Sequence, residues 1–229
     1  MTTTPRTPTP IDRLAEDHLD AMARLSPLTA TYLGVEGDHD RIDDLGVEGI
    51  ARTAELDRST LAALEQLEPV DDVDRVTAAA LRERLGLEVE QLQRVFDGVD
   101  PVELNVINSA VQALRDVVDL MPKGSAEDWA TIARRLRAVP TALEQYATAL
   151  RHSAGHGRVA PRRQVEKVAG QCADQAGDSS TYLALLTEAA DQPRPVRDDL
   201  EEAVALARAA YGELGRFLTE ELLPVAPES

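Results

Sequence analysis

The sequence predicts an all-α protein, an irregular multi-helix bundle folded as one compact helical domain. Strong helix formers, chiefly Ala, Leu, Glu, Arg and Gln, dominate the 229 residues, and only 3% are aromatic. Runs alternating Val, Ile, Thr and aromatic residues, the mark of strands, are nearly absent, whereas apolar residues recur at steps of three and four. Thirteen Gly and thirteen Pro are too few for a fibrous or disordered chain, and too scattered for a repeat. At 43% hydrophobic residues the chain can bury a sizeable core.

Residues 1–10 read as a flexible, Thr- and Pro-rich tail, ahead of a helical domain over 11–224 and a short C-terminal tail over 225–229. Thr9-Pro10 is a cap followed by a first-turn proline, and Ile11, Leu14, Ala15, His18, Leu19, Met22 and Leu25 follow at helical spacing. Ser26-Pro27 repeats the start signal, Gly34 stops a short second helix, and 35–46 has no periodicity and reads as an acidic loop. A helix over 47–67 carries Ile50, Ala54, Leu61, Leu64 and Leu67 on one stripe. Asp71 or Asp72 then caps a longer one with Val73, Val76, Ala80, Leu81, Leu85, Leu92 and Val95. Gly98 and Pro101 break that pattern, and Asn108-Ser109 restarts it toward Leu120.

Ser125 with Asp128 has capping-box spacing and points Trp129, Ile132, Leu136 and Val139 inward. Pro140 is expected to start a separate helix that fades at Gly155 and Gly157. Pro161 begins a helix through Val165, Val168 and Cys172 to Gly177, a short one spans 182–190, and Pro193 with Pro195 makes a stiff turn. The last helix carries Val196, Leu200, Ala203, Ala207, Tyr211, Leu214 and Leu218 before Pro224 ends it.

Forty-one acidic against twenty-four basic residues give a formal charge of −17. Such a chain is repelled by nucleic acid and by anionic membranes, so neither is expected as a partner. No apolar run approaches the roughly 20 residues of a membrane span. The N-terminus lacks the pattern of a signal peptide, and Cys172 is alone, which together point to the cytoplasm.

The chemistry-bearing residues are sparse. His152 and His156 alone share ligand spacing, four apart on one helical face, but no Glu follows His152 and no third ligand is evident. They are the weak metal candidates, and no catalytic residue is assigned. His18 reads as a packing residue, and His39, between Asp38 and Asp40, as part of a salt-bridged loop. Residues 38–44 do not follow the calcium-loop spacing. Cys172 reads as a buried, inert thiol, and no phosphate-cradling glycine loop is present. Arg134, Arg135, Arg137, Arg151, Arg158, Arg162, Arg163 and Lys167 concentrate positive charge in an acidic chain; pairing with acids such as Glu144 and Glu166 is the favoured reading over carboxylate binding.

The stretch from Ser26 through Gly34 to His39-Asp40-Arg41-Ile42-Asp43-Asp44 resembles the N-terminal signature of the bacterial family called domain of unknown function 885. Asp128-Trp129, Arg135 to Pro140, Gly157 to Val165, Ala209-Ala210-Tyr211 and Phe217 to Pro224 extend the likeness in register. The resemblance implies a large α-helical, zinc-peptidase-like protein whose H-E-x-x-H motif lies in a C-terminal half. Neither motif His nor its Glu has a counterpart here, so zinc is expected only in that missing half, and the chain reads as truncated after Pro224. The expected role is thus an uncharacterised N-terminal region, inactive by itself, that forms one wall of a substrate channel. Its expected partner is the C-terminal half, or a second copy docked on an exposed apolar face of the last helix, where Tyr211, Leu214, Leu218 and Leu222 line up. The alternatives are a helical interaction module and a small metal-dependent hydrolase using His152 and His156.

Overall fold

The computed structural model describes residues 6–228, and these contain nine α-helices and no strand. The helices are α1 (Pro10–Leu25), α2 (Pro27–Leu33), α3 (Val47–Leu64), α4 (Asp72–Phe96), α5 (Ala110–Asp116), α6 (Ala126–Gly155), α7 (Arg162–Ala176), α8 (Tyr182–Glu188) and α9 (Arg194–Phe217). They make two sub-bundles. In the larger, α9 packs along both α6 and α7, with α5 and α8 closing the ends. In the smaller, α1, α3 and α4 surround their own core of Ile11, Leu64 and Ala78.

Local chemistry sets most helix starts. Thr9 and Ser125 form capping boxes with Asp12 and Asp128, and Asp71 accepts from the Asp74 amide to start α4. Gly34 closes α2 in the left-handed conformation (φ 66°) that a β-carbon disfavours. Of the expected flexible tail, residues 1–5 lie outside the described residues, but the part after them is tied down. Arg6 pairs with Asp12, Asp71 and the buried Asp74, and Thr9 Oγ1 donates to Asp74 at 2.8 Å.

That acid also corrects the register of α4. Val73, Val76 and Ala80, expected inward, are exposed, and Asp74 and Ala78 face the core in their place, together with the expected Leu85. Asp74 accepts from the Val70 amide as well as from Thr9 and Arg6, and these bonds fix which face turns in.

Pro140 does not start a helix. It sits inside α6, a single 30-residue helix. Proline there forgoes one intrahelical bond and clashes with the preceding turn, at a cost of about 3 kcal/mol. The inner stripe before it, Trp129, Ile132, Leu136 and Val139, continues after it as Leu143, Tyr146, Ala147 and Leu150, all buried. Burying each such large side chain yields about 1.5–3 kcal/mol, so the unbroken stripe outweighs the proline.

The exposed apolar face expected on the last helix is also absent, because Tyr211, Leu214, Leu218 and Leu222 are all buried, against α6 and α7. The stripe that looked free from sequence is the centre of the main core. Cys172 lies in the same core, and burial pushes its thiol up to about 12. A thiol-specific disulfide reagent should therefore leave the native protein unmodified and react stoichiometrically once denaturant is added; rapid modification of the folded chain would contradict the placement of α7.

Candidate functional site

A cleft of about 860 Å³ opens where the two sub-bundles meet. One wall comes from the smaller unit: Leu25 at the end of α1, Ile50 and Thr53 on α3, and Leu92 and Val95 on α4. The facing wall is Leu28, Thr29 and Tyr32 of α2 with the segment from Pro101 to Ala110, and Tyr146 of α6 lies at the base. The surface is mostly aliphatic, punctuated by Asn108, Ser109, Glu103 and the Arg52–Asp44 ion pair. A space of this size, apolar with a few oriented polar groups, is the usual form of a binding site.

Three tyrosines tie down the facing wall and α5, which follows it. Tyr146 donates to the Glu103 carbonyl at 2.5 Å, Tyr182 to Leu114 and Tyr211 to Val111, each at 2.8 Å. Burial raises all three phenols above their ordinary value, so the hydroxyls remain donors. Ser109 and Gln112 form the capping box of α5, and the Gln112 amide nitrogen reaches Gln171 Oε1 at 2.6 Å.

The acidic residues at the other end of the cleft are structural caps. Asp43 accepts from Ser26 Oγ at 2.5 Å and from the Leu28 amide at 2.9 Å, joining Ser26 in starting α2. Burial raises its carboxyl, and the Ser26 and Leu28 bonds together with Arg135 pull it back. Arg135, from α6, is fully buried and donates to the Arg41 carbonyl (3.0 Å), Thr31 Oγ1 (2.8 Å) and the Pro27 carbonyl (3.2 Å). Burial brings this guanidinium down to about 10, against the opposing pull of Asp43 and Asp40. Thr31 Oγ1 also lies 2.9 Å from His39 Nδ1. The signature stretch from Ser26 to Asp44 is thus wrapped around one buried cation supplied from about 100 residues further along.

With that arrangement in view, comparison with known families is decisive. The family described as bacterial protein of unknown function (DUF885) matches residues 27–229. The chain belongs to this family. Comparison with the curated proteins gives no match. In this DUF885 chain, two family-like segments distant in sequence meet at Arg135.

His152 and His156 do come together, with ring centroids 4.6 Å apart. One nitrogen of each ring is directed at backbone, His152 Nε2 at the Phe96 carbonyl (3.3 Å) and His156 Nδ1 at the His152 carbonyl (2.9 Å). His156 also packs against Gly98, where a β-carbon would collide with the ring. Among the described residues no group of three or more His, Cys, Asp or Glu is placed to hold a metal. Two imidazoles with no third donor beside them fall short of the three protein ligands of a catalytic zinc site.

Four of the eight basic residues of the middle segment, Arg134, Arg137, Arg151 and Arg162, form ion pairs. Arg137 reaches Asp199 and Glu202, Arg151 reaches Glu221 and lies over the Phe217 ring, and Arg134 reaches Asp40 and Glu127. Arg162 pairs with the expected Glu166, whereas the other partners come from α9, the segment just after it (Glu221), the acidic loop and the first turn of α6 rather than Glu144. These pairs are largely exposed and worth little singly. Among the described residues no helix is long and apolar enough to cross a membrane.

Sequence reasoning passed over Asp57. It lies in register with Ile50, Ala54, Leu61 and Leu64, so a charged residue at a core position was the available signal. Arg135, three residues after Ile132 and four before Val139, carried the same signal.

Proposed function

We propose that the inter-bundle cleft binds an extended peptide and that this chain forms the non-catalytic wall of a substrate channel in a peptidase-like protein. The observation that carries this reading is the cleft itself, mostly aliphatic, with the Asn108 amide among its lining as a group suited to a peptide backbone. In this reading the zinc and the groups that activate water come from the C-terminal half that the resemblance implies, and that half, or a second copy of the chain, is the partner. With a charge of −17, nucleic acid and anionic membranes make poor partners, and a reducing cytoplasm suits the lone Cys172.

Fluorescence anisotropy with a fluorescein-labelled casein digest tests the proposal. Saturable binding is expected, weakened about tenfold (~1.4 kcal/mol) by Val95→Glu, a change on a half-buried wall position that leaves helicity intact. Absence of saturable binding, or equal affinity in the variant, removes the reading.

A further inference from the structure

The smaller sub-bundle holds a titratable pair that the cleft does not use. Asp57 on α3 is fully buried, and neither of its carboxylate oxygens has a hydrogen-bond partner. Buried acids without partners are rare enough to need an explanation. His18 of α1 faces it, with Nε2 3.8 Å from Oδ1 and a side chain only 13% exposed. The other ring nitrogen, Nδ1, stands 3.0 Å from Thr60 Oγ1. The Thr60 hydroxyl donates along its own helix to the Leu56 carbonyl at 3.0 Å, so its oxygen accepts and Nδ1 carries the hydrogen. A neutral ring of that tautomer turns the Nε2 lone pair toward a buried carboxylate. One proton between the two groups removes this conflict, whichever of them carries it. From α4, Glu88 adds like charge against Asp57.

We propose that His18 and Asp57 hold one proton between them and form a proton-dependent latch that fastens α1 to α3. Burial, reinforced by Glu88, pushes Asp57 up to about 6 from its usual 3.8, while burial alone lowers His18. Both directions discharge the pair, and one shared proton leaves it neutral overall. A carboxyl whose folded value lies above its unfolded one contributes stability below the unfolded value and loses it as pH rises through about 6. His18, whose folded value lies below its unfolded one, acts in the opposite sense and loses stability as pH falls. The latch is therefore tightest while the pair holds its single proton and slackens once that proton leaves at alkaline pH. Because α1 ends at Leu25, which lines the cleft, its loosening reaches that wall.

NMR of the full chain with isotope-labelled histidine tests this, with His18→Gln assigning the resonance among the four histidines. Asp57→Asn, which keeps the shape and removes the anion, is expected to lower the His18 midpoint by about one pH unit or more, a tenfold loss of proton affinity. In the native chain, amide exchange of α1, corrected for its intrinsic pH dependence, should quicken between about pH 5 and 8, and in Asp57→Asn it should not. An unchanged His18 midpoint, or α1 protection that ignores pH in the native chain, overturns the proposal. If Asp57→Asn fails to fold, His18→Gln replaces it, and a pH dependence of α1 exchange that persists there is equally fatal.

Discussion

Replacing Arg135 with Met is expected to destabilise the protein by about 3–5 kcal/mol, although Met fills much of the same space. The guanidinium supplies three hydrogen bonds in a planar fork, to Arg41, Thr31 and Pro27, at a site from which water is excluded. Met leaves the Arg41 carbonyl without that donor, and each orphaned buried acceptor costs about 1–3 kcal/mol. It also removes the cation that opposes the buried Asp43 charge. The loss should be local as well as global, because Arg135 is the buried side chain that ties residues 27–44 to α6, beside the exposed Arg134–Asp40 pair. Urea unfolding followed by circular dichroism gives the magnitude, and amide exchange locates it. Uniform loss of protection across the chain, or a change under about 1 kcal/mol, would show that the loop is held by other contacts. Arg135→Lys should rescue little, since a point charge cannot serve three acceptors in a fork.

The second large effect is expected at Trp129. Its ring is 2% exposed and packs in the main core with Ile132 and Leu136, which are fully buried. Trp129→Ala removes the largest apolar side chain of the core and leaves a cavity, for an expected cost of about 3–5 kcal/mol. Because Trp129 is the sole tryptophan, native emission should lie well to the blue of the free amino acid and shift red on unfolding. Native emission resembling free tryptophan would mean that α6 presents the opposite face.

Much of the fold was legible because local physics decided it. The caps at Thr9, Ser26, Asp71 and Ser125, the Gly34 stop and the period of each stripe are short-range effects, and they place helix starts without knowledge of neighbours. The candidate site was less legible. A cleft between two sub-bundles belongs to no single segment, and its walls draw on residues from Leu25 to Pro161. His152 and His156 carried ligand spacing, yet spacing says nothing of what else each ring meets, and here one nitrogen of each meets a backbone carbonyl.

By itself the sequence determined the helical class, most helix starts, the burial of Trp129 and Cys172 and, through its family-like segments, membership of the DUF885 family. Only the tertiary structure decided that Pro140 is carried within one long helix, that the stripe through Tyr211 and Leu218 is covered, and that Asp74 rather than Val73 or Val76 faces the core of α4. It also brought Arg135 to the loop and His18 to Asp57. The physical reason is the same in each case. Caps and periodicity act within a turn or two of the chain, whereas the cost of a proline, a buried charge or an apolar stripe is settled by what a distant helix places against it.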